Sequence, residues 1–201
     1  MHTFSDIELA LHGRGIRRIA GVDEAGRGPL AGPVVAAAVI FAPGTDVEGV
    51  ADSKRLSHKL RSGALHRISM CALGVGIGAA EPEEIDAMNI LQASILAMHR
   101  AVEALPISPD FLLVDGNRFH HPALPFQTVV KGDSLCFSIA AASIVAKEHR
   151  DRLMEALDKE YPEYGFARHK GYPTKQHVEA LRKHGPSLAH RRSFHVRELD
   201  L

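Results

Sequence analysis

The chain contains only two cysteines, Cys71 and Cys136, with no C-x-x-C pair, and each sits inside an apolar run. A disulfide scaffold and a cysteine-based zinc site are therefore excluded, and two buried free thiols are expected. No segment approaches the roughly 18 consecutive apolar residues that cross a bilayer. The opening Met1-His-Thr-Phe-Ser-Asp6 lacks the charged and apolar regions of a signal peptide, so a cytoplasmic location is expected. Internal repeats and low-complexity tracts are also missing. What remains is ordinary for a globular protein: 201 residues, 45% apolar and 24% charged, enough to bury a core without covalent staples.

Net charge is zero, which at first removes the usual argument for a nucleic-acid partner. The distribution restores it. Between Gly165 and Arg197 eight Lys/Arg face one acid, Glu179, so this stretch carries +7 and the remainder −7. Five histidines (His169, His177, His184, His190, His195) are interspersed there. A cationic segment opposite an acidic remainder suits a phosphate-binding region beside an acidic site, and it equally suits a solvated basic surface.

Hydrophobic periodicity predicts strands at residues 17–23, 32–41, 74–80, 110–115 and 126–130, with the glycine-rich 26–29 as the first turn. Helices are predicted at 57–73, 90–105, 135–157 and 174–184, the last stopped by Gly185-Pro186. The small run Ala140-Ala-Ala-Ser143 would let its helix lie close on a sheet. Strands followed by alternating helix and strand predict an α/β fold built on a mixed sheet. Residues 1–160 would form the catalytic part, and 161–201 a basic helical region completing a nucleic-acid cleft. A monomer is expected.

The acids fall at the ends of elements. Asp23 and Glu24 close one apolar strand, Asp115 closes another, and Asp133 precedes the long helix. Hard oxygen donors that converge on a sheet edge suit Mg²⁺ or Mn²⁺, and a pair of such ions suits phosphodiester hydrolysis. Each has a plainer reading as well. Asp133 would serve as a helix cap, and Asp115-Gly116 as an ordinary turn. Asp23 and Glu24 are adjacent, and neighbours in a regular strand face opposite sides, so sharing one site requires the strand to end or bulge there.

The segment Gly21-Val-Asp-Glu-Ala-Gly-Arg-Gly-Pro-Leu-Ala-Gly-Pro-Val34 resembles the N-terminal signature of the ribonuclease HII family. Asp52-Ser-Lys-Arg-Leu-Ser57, Val114-Asp-Gly-Asn117, Lys131-Gly-Asp133, Ile139-Ala-Ala-Ala-Ser-Ile-Val-Ala-Lys147 and Arg150-Asp151 continue the likeness in family order. Tyr164-Gly-Phe166, His169-Lys-Gly-Tyr-Pro-Thr174 and His190-Arg-Arg-Ser-Phe194 complete it, so that it spans nearly the whole chain. The resemblance implies a ribonuclease H-like fold: a five-stranded mixed sheet flanked by helices, with a small C-terminal helical region. It implies cleavage of the RNA strand of RNA–DNA hybrids and of single ribonucleotides embedded in duplex DNA, leaving 5′-phosphate and 3′-hydroxyl.

By the same resemblance Asp23, Glu24, Asp115 and Asp133 are the catalytic, metal-binding acids, with Asp23 bridging two Mg²⁺ or Mn²⁺ ions. The backbone of Gly26, Arg27 and Gly28 would meet the ribose 2′-OH, since glycines admit close main-chain approach. Tyr172 would pack on the sugar at the RNA–DNA junction. Lys170, Arg191, Arg192 and Ser193, with Lys54 opposite, are expected to contact phosphates. The tail Glu198-Leu-Asp-Leu201 resembles short peptides that dock on sliding clamps. Competing readings are another nuclease of the ribonuclease H superfamily, either a resolvase or an enzyme requiring RNA tracts, and a nucleic-acid binder without catalysis. Dinucleotide binding through Gly74-Val-Gly-Ile-Gly-Ala79 lacks the strand–turn–helix setting that the pattern needs.

Overall fold

The computed structural model describes residues 5–50 and 58–195. Five strands form one mixed sheet in the order β3-β2-β1-β4-β5: β1 (Ile19–Ala25), β2 (Val34–Ile40), β3 (Gly74–Ala80), β4 (Phe111–Asp115) and β5 (Phe126–Val129). β1 to β3 pair antiparallel, whereas β4 and β5 join parallel to β1 and to each other. The expected mixed five-stranded sheet is present. β2 is buried along all seven residues, as its unbroken apolar run requires, while edge strand β3 alternates.

Helices cover both faces. α2 (His58–Cys71) and the long α6 (Phe137–Glu160) enclose Ala37, Val39, Phe41, Ile68 and Ile144 on one side. On the other, α4 (Ile90–Glu103) packs Ala97, Met98 and Ala101 over Ala36, Ala38, Leu112 and Val114. Glycine permits the closest approaches. A Cβ on Gly21 of β1 would lie 2.1 Å from the Ser138 backbone of α6, and one on Gly78 of β3 would lie 2.3 Å from the Ala97 carbonyl of α4. The glycine-rich β3 is thus a packing stripe: its glycines lie inside the strand, and not in a turn that opens a helix as in a dinucleotide fold.

Among the described residues no helix is long and apolar enough to cross a membrane. α1 (Asp6–Gly13) begins at a reciprocal Ser5/Glu8 capping box. Pro82 opens α3 (Pro82–Met88) at its first turn, where a missing N–H costs nothing. The predicted helix from 135 is two elements, α5 (Gly132–Leu135) and α6, separated by extended Cys136. α7 (Phe166–His169) and α8 (Lys175–His184, capped by Thr174) lie over a third apolar cluster containing Leu30, Met154, Tyr164 and Phe166. Cys136 is buried as expected, but Cys71 is exposed. It is the last residue of α2 and follows Met70, which is also exposed, so this apolar end of the helix lies outside the core.

Candidate active site

Bare Gly21 brings α6 against β1, and Asp23, two residues on, faces the same side and accepts from the Ser143 hydroxyl. Asp23 Oδ1 also accepts the Glu24 N–H at 2.7 Å. β1 does not end or bulge between these acids. It stays paired with β2 through Ala25↔Val35, whereas its parallel pairing with β4 stops at Val22↔Val114. Losing one neighbour is enough: the Asp23–Glu24 pair sits at an opened sheet edge beside Asp115. Burial pushes the Asp23 carboxyl well above the usual carboxylate range, and the charges of Glu24 and Asp115 push it further. Burial raises Glu24 too, opposed by Arg27, whose Nη1 lies 3.2 Å from Glu24 Oε1.

Asp115 Oδ1 accepts the Gly132 N–H at 2.6 Å, tying the end of β4 to the turn that carries Asp133. Lys131 precedes it in the left-handed region at φ 58°. The capping alternative for Asp133 is not what the N-terminus of α6 uses. Glu8, fully buried, accepts the N–H groups of Phe137 (3.0 Å) and Ser138 (2.8 Å) and the Ser138 hydroxyl. Asp133 instead lines a cleft of about 410 Å³ with Glu24, Ala25, Arg61, Ser143, Ile144, Lys147 and Tyr172. Arg61 and Lys147 were not anticipated as site residues. They are held at the cleft by buried Glu148 and Asp151, and the Lys147–Asp151 spacing of four on one helix was the readable signal.

Among the described residues no three His, Cys, Asp or Glu side chains are already arranged as a metal-holding group. Asp23, Glu24 and Asp115 are engaged with Ser143, Arg27 and Gly132. Their chemistry nevertheless fits a hard divalent cation. All the donors are carboxylate oxygens, and two are buried among like charges that a cation would neutralise.

Beside the acids, Gly26 adopts φ 100°, and a Cβ on Gly28 would stand 3.5 Å from Tyr172 Cε1. The turn and the tyrosine therefore lie within about one methyl group of contact and flank one narrow slot. A chain of neutral histidines supports the tyrosine. Ser187 N–H donates to His190 Nδ1, so His190 Nε2 carries the proton and donates to His177 Nε2 at 3.0 Å. His177 Nδ1 must then donate to the Tyr172 carbonyl, 3.0 Å away. Burial is the main cause holding both imidazoles down at about 4.

The expected phosphate contacts fare differently. Arg191 is 2% exposed, with its guanidinium on backbone carbonyls, so it is an interior support and not a surface contact. Lys170 is ion-paired to Glu155 at 2.8 Å and largely covered. Asp86 of α3 accepts the Arg192 N–H and both the N–H and hydroxyl of Ser193; both residues are exposed. Lys54 and Glu198–Leu201 lie outside the described residues.

Known proteins agree with this architecture. The family model described as Ribonuclease HII matches residues 20–197. The ribonuclease HII of Pelodictyon phaeoclathratiforme is 57% identical over 187 residues, covering 90% of this chain and 91% of that protein. The ribonuclease H2 of Pyrococcus horikoshii superposes with a TM-score of 0.72 at 27% identity, covering 88% of this chain and 93% of its own. The ribonuclease HII of Archaeoglobus fulgidus, solved in complex with PCNA, gives 0.74 at 26% identity, covering 90% of this chain and 96% of its own. Matched along nearly its whole length in sequence and fold, the chain belongs to the ribonuclease HII family.

Proposed function

We propose that this ribonuclease H hydrolase cuts on the 5′ side of ribonucleotides, including single ones embedded in duplex DNA, with Asp23, Glu24, Asp115 and Asp133 holding two divalent cations. The observation that supports the reading is that Asp23 and Glu24 sit at one opened sheet edge within electrostatic reach of Asp115, while Asp133 lines the same cleft as Glu24 and Tyr172. Bound Mg²⁺ or Mn²⁺ would supply an acidified water and stabilise the departing 3′ oxygen. The chain's own groups do the rest. The Gly26–Gly28 backbone approaches the 2′-OH, the atom that separates RNA from DNA. Tyr172 packs on the adjoining sugar, so residues 161–201 complete the cleft. Arg61, Lys147 and Arg192 meet phosphates, which positions the duplex without reading its sequence.

Glu198–Leu201 would dock on a sliding clamp, in keeping with the PCNA complex of the Archaeoglobus relative. Loss of clamp binding on deleting these four residues is the expected result; no binding by the intact chain would refute it. The cleavage reading is tested with a labelled duplex carrying one ribonucleotide, with each metal and with chelator. A single cut leaving 5′-phosphate and 3′-hydroxyl, abolished by chelator, is expected. An intact single-ribonucleotide duplex alongside cleavage of continuous RNA would favour an enzyme requiring RNA tracts.

A further inference from the structure

Two arginines, Arg191 and Arg150, are buried behind the slot, and among the described residues no carboxylate is hydrogen-bonded to either. Arg191 donates from Nε to Gly32 O (2.9 Å), from Nη1 to Arg27 O (3.1 Å) and Pro29 O (2.8 Å), and from Nη2 to Gly26 O (2.6 Å). Arg150 donates from Nε to Pro33 O (3.0 Å), from Nη2 to Ala31 O (3.1 Å) and from Nη1 to Lys170 O (2.9 Å). Six of the seven bonds land on the single segment 26–33, and the seventh reaches the loop that carries Tyr172. We propose that Arg191 and Arg150 are positioning residues for ribonucleotide recognition, locking the 26–33 backbone against the 170–172 loop and so setting the Gly28–Tyr172 slot. This rests on the reading above that the slot receives the ribose.

The direction of the peptide planes gives the clasp its consequence. All peptides here are trans, so the C=O and N–H of one peptide point oppositely. Carbonyls of Gly26 and Arg27 drawn inward onto Arg191 turn the N–H groups of Arg27 and Gly28 away from it. The neighbouring peptide checks this geometry. Pro29 O is held by Arg191, and the Leu30 N–H on the same peptide points away, onto Gly171 O at 2.8 Å. Gly32 N–H to Ala189 O and Arg191 N–H to Leu30 O, both 2.8 Å, tie the segment to the tail as well.

Placing two cations together inside the fold is costly. Burial, then the charge of Arg150, pushes Arg191 down to about 9. Lysine keeps the charge but cannot reproduce a planar five-donor fork, so the geometry is specific to arginine.

The test uses the full chain with Arg191→Lys and Arg150→Lys, measuring kcat and KM on a duplex with one ribonucleotide and on a hybrid with a continuous RNA strand. With folded fraction checked by circular dichroism, Arg191→Lys should lower kcat on the single-ribonucleotide duplex about a hundredfold. It should lower cleavage of the continuous hybrid much less, and KM for both duplexes should stay within about twofold. An unchanged ratio between the two activities overturns the proposal.

Hydrogen exchange on the wild type decides the matter should neither variant fold. The amides of Leu30, Gly32 and Arg191 must then share one slow opening rate, and independent fast exchange at Leu30 overturns the clasp. Wild-type protein that leaves the single ribonucleotide uncut would sink the functional reading instead, and the exchange result would still judge the clasp.

Discussion

Two clusters of buried charge stand back to back in this molecule, and they are built on opposite principles. At the sheet edge Asp23 and Glu24 are buried with like charges beside them, and the proton is held more tightly than usual. Behind the 26–33 turn, Arg150 and Arg191 are equally buried, yet their guanidinium groups give seven hydrogen bonds to carbonyls. The first cluster needs a counter-charge from outside; the second is finished by the fold. A site made to receive a cation and a frame made to stay still can be told apart by that difference.

The largest expected effect breaks the acidic side. Asp23→Asn should lower cleavage roughly a thousandfold or more while duplex affinity is kept, as gel shift and single-turnover rates would show. The same variant should raise metal-free stability by on the order of 1 kcal/mol, read as a few degrees in the melting midpoint. The sign follows from the raised carboxyl: stability present below its unfolded value is lost as pH rises through the folded one. A destabilised Asp23→Asn would show that the carboxylate is structurally required and not merely tolerated.

Glu8→Ala comes next. Removing a buried carboxylate that serves three donors of α6 should cost about 3 kcal/mol, measured by urea unfolding. A loss under about 0.5 kcal/mol would return the capping role to other groups, Asp133 among them.

Acid should discriminate between the two regions. The neutral His177–His190 pair, held at about 4, gives stability that is complete above the ordinary histidine value and disappears as pH falls toward 4. Hydrogen exchange at pH 5 should therefore show the 164–190 segment opening before the sheet. Simultaneous opening would contradict the assignment. The smallest effect is expected from Lys147→Gln, which should reduce the salt-dependence slope of duplex binding by about one and leave the products unchanged.

Much of this could be read from sequence, for reasons that differ between elements. β2 and β4 announced themselves because strands covered on both faces are unbroken apolar runs. Asp23 and Glu24 stood out because charge directly follows an apolar run there, whereas Asp115 and Asp133 read equally well as a turn and a cap until the family likeness joined them to the pair. α1 carried its Ser5-x-x-Glu8 signature openly, but Glu8 does double duty, reaching 129 residues ahead to Phe137, and that pairing has no local trace. Arg191 and Lys170 were read as surface cations because a basic run looks the same whether its members face solvent or backbone. The contacts that decide Arg191 lie 159 to 165 residues away. Long-range hydrogen bonding, more than hydrophobic pattern, is what sequence reading missed.

The most direct test is anomalous diffraction from crystals soaked in Mn²⁺. Density bounded by the carboxylate oxygens of Asp23, Glu24, Asp115 and Asp133, at roughly 2.0–2.2 Å as small divalent ions require, is the predicted result. Manganese found elsewhere, with Asp23, Glu24 and Asp115 still turned to Ser143, Arg27 and Gly132, would contradict it.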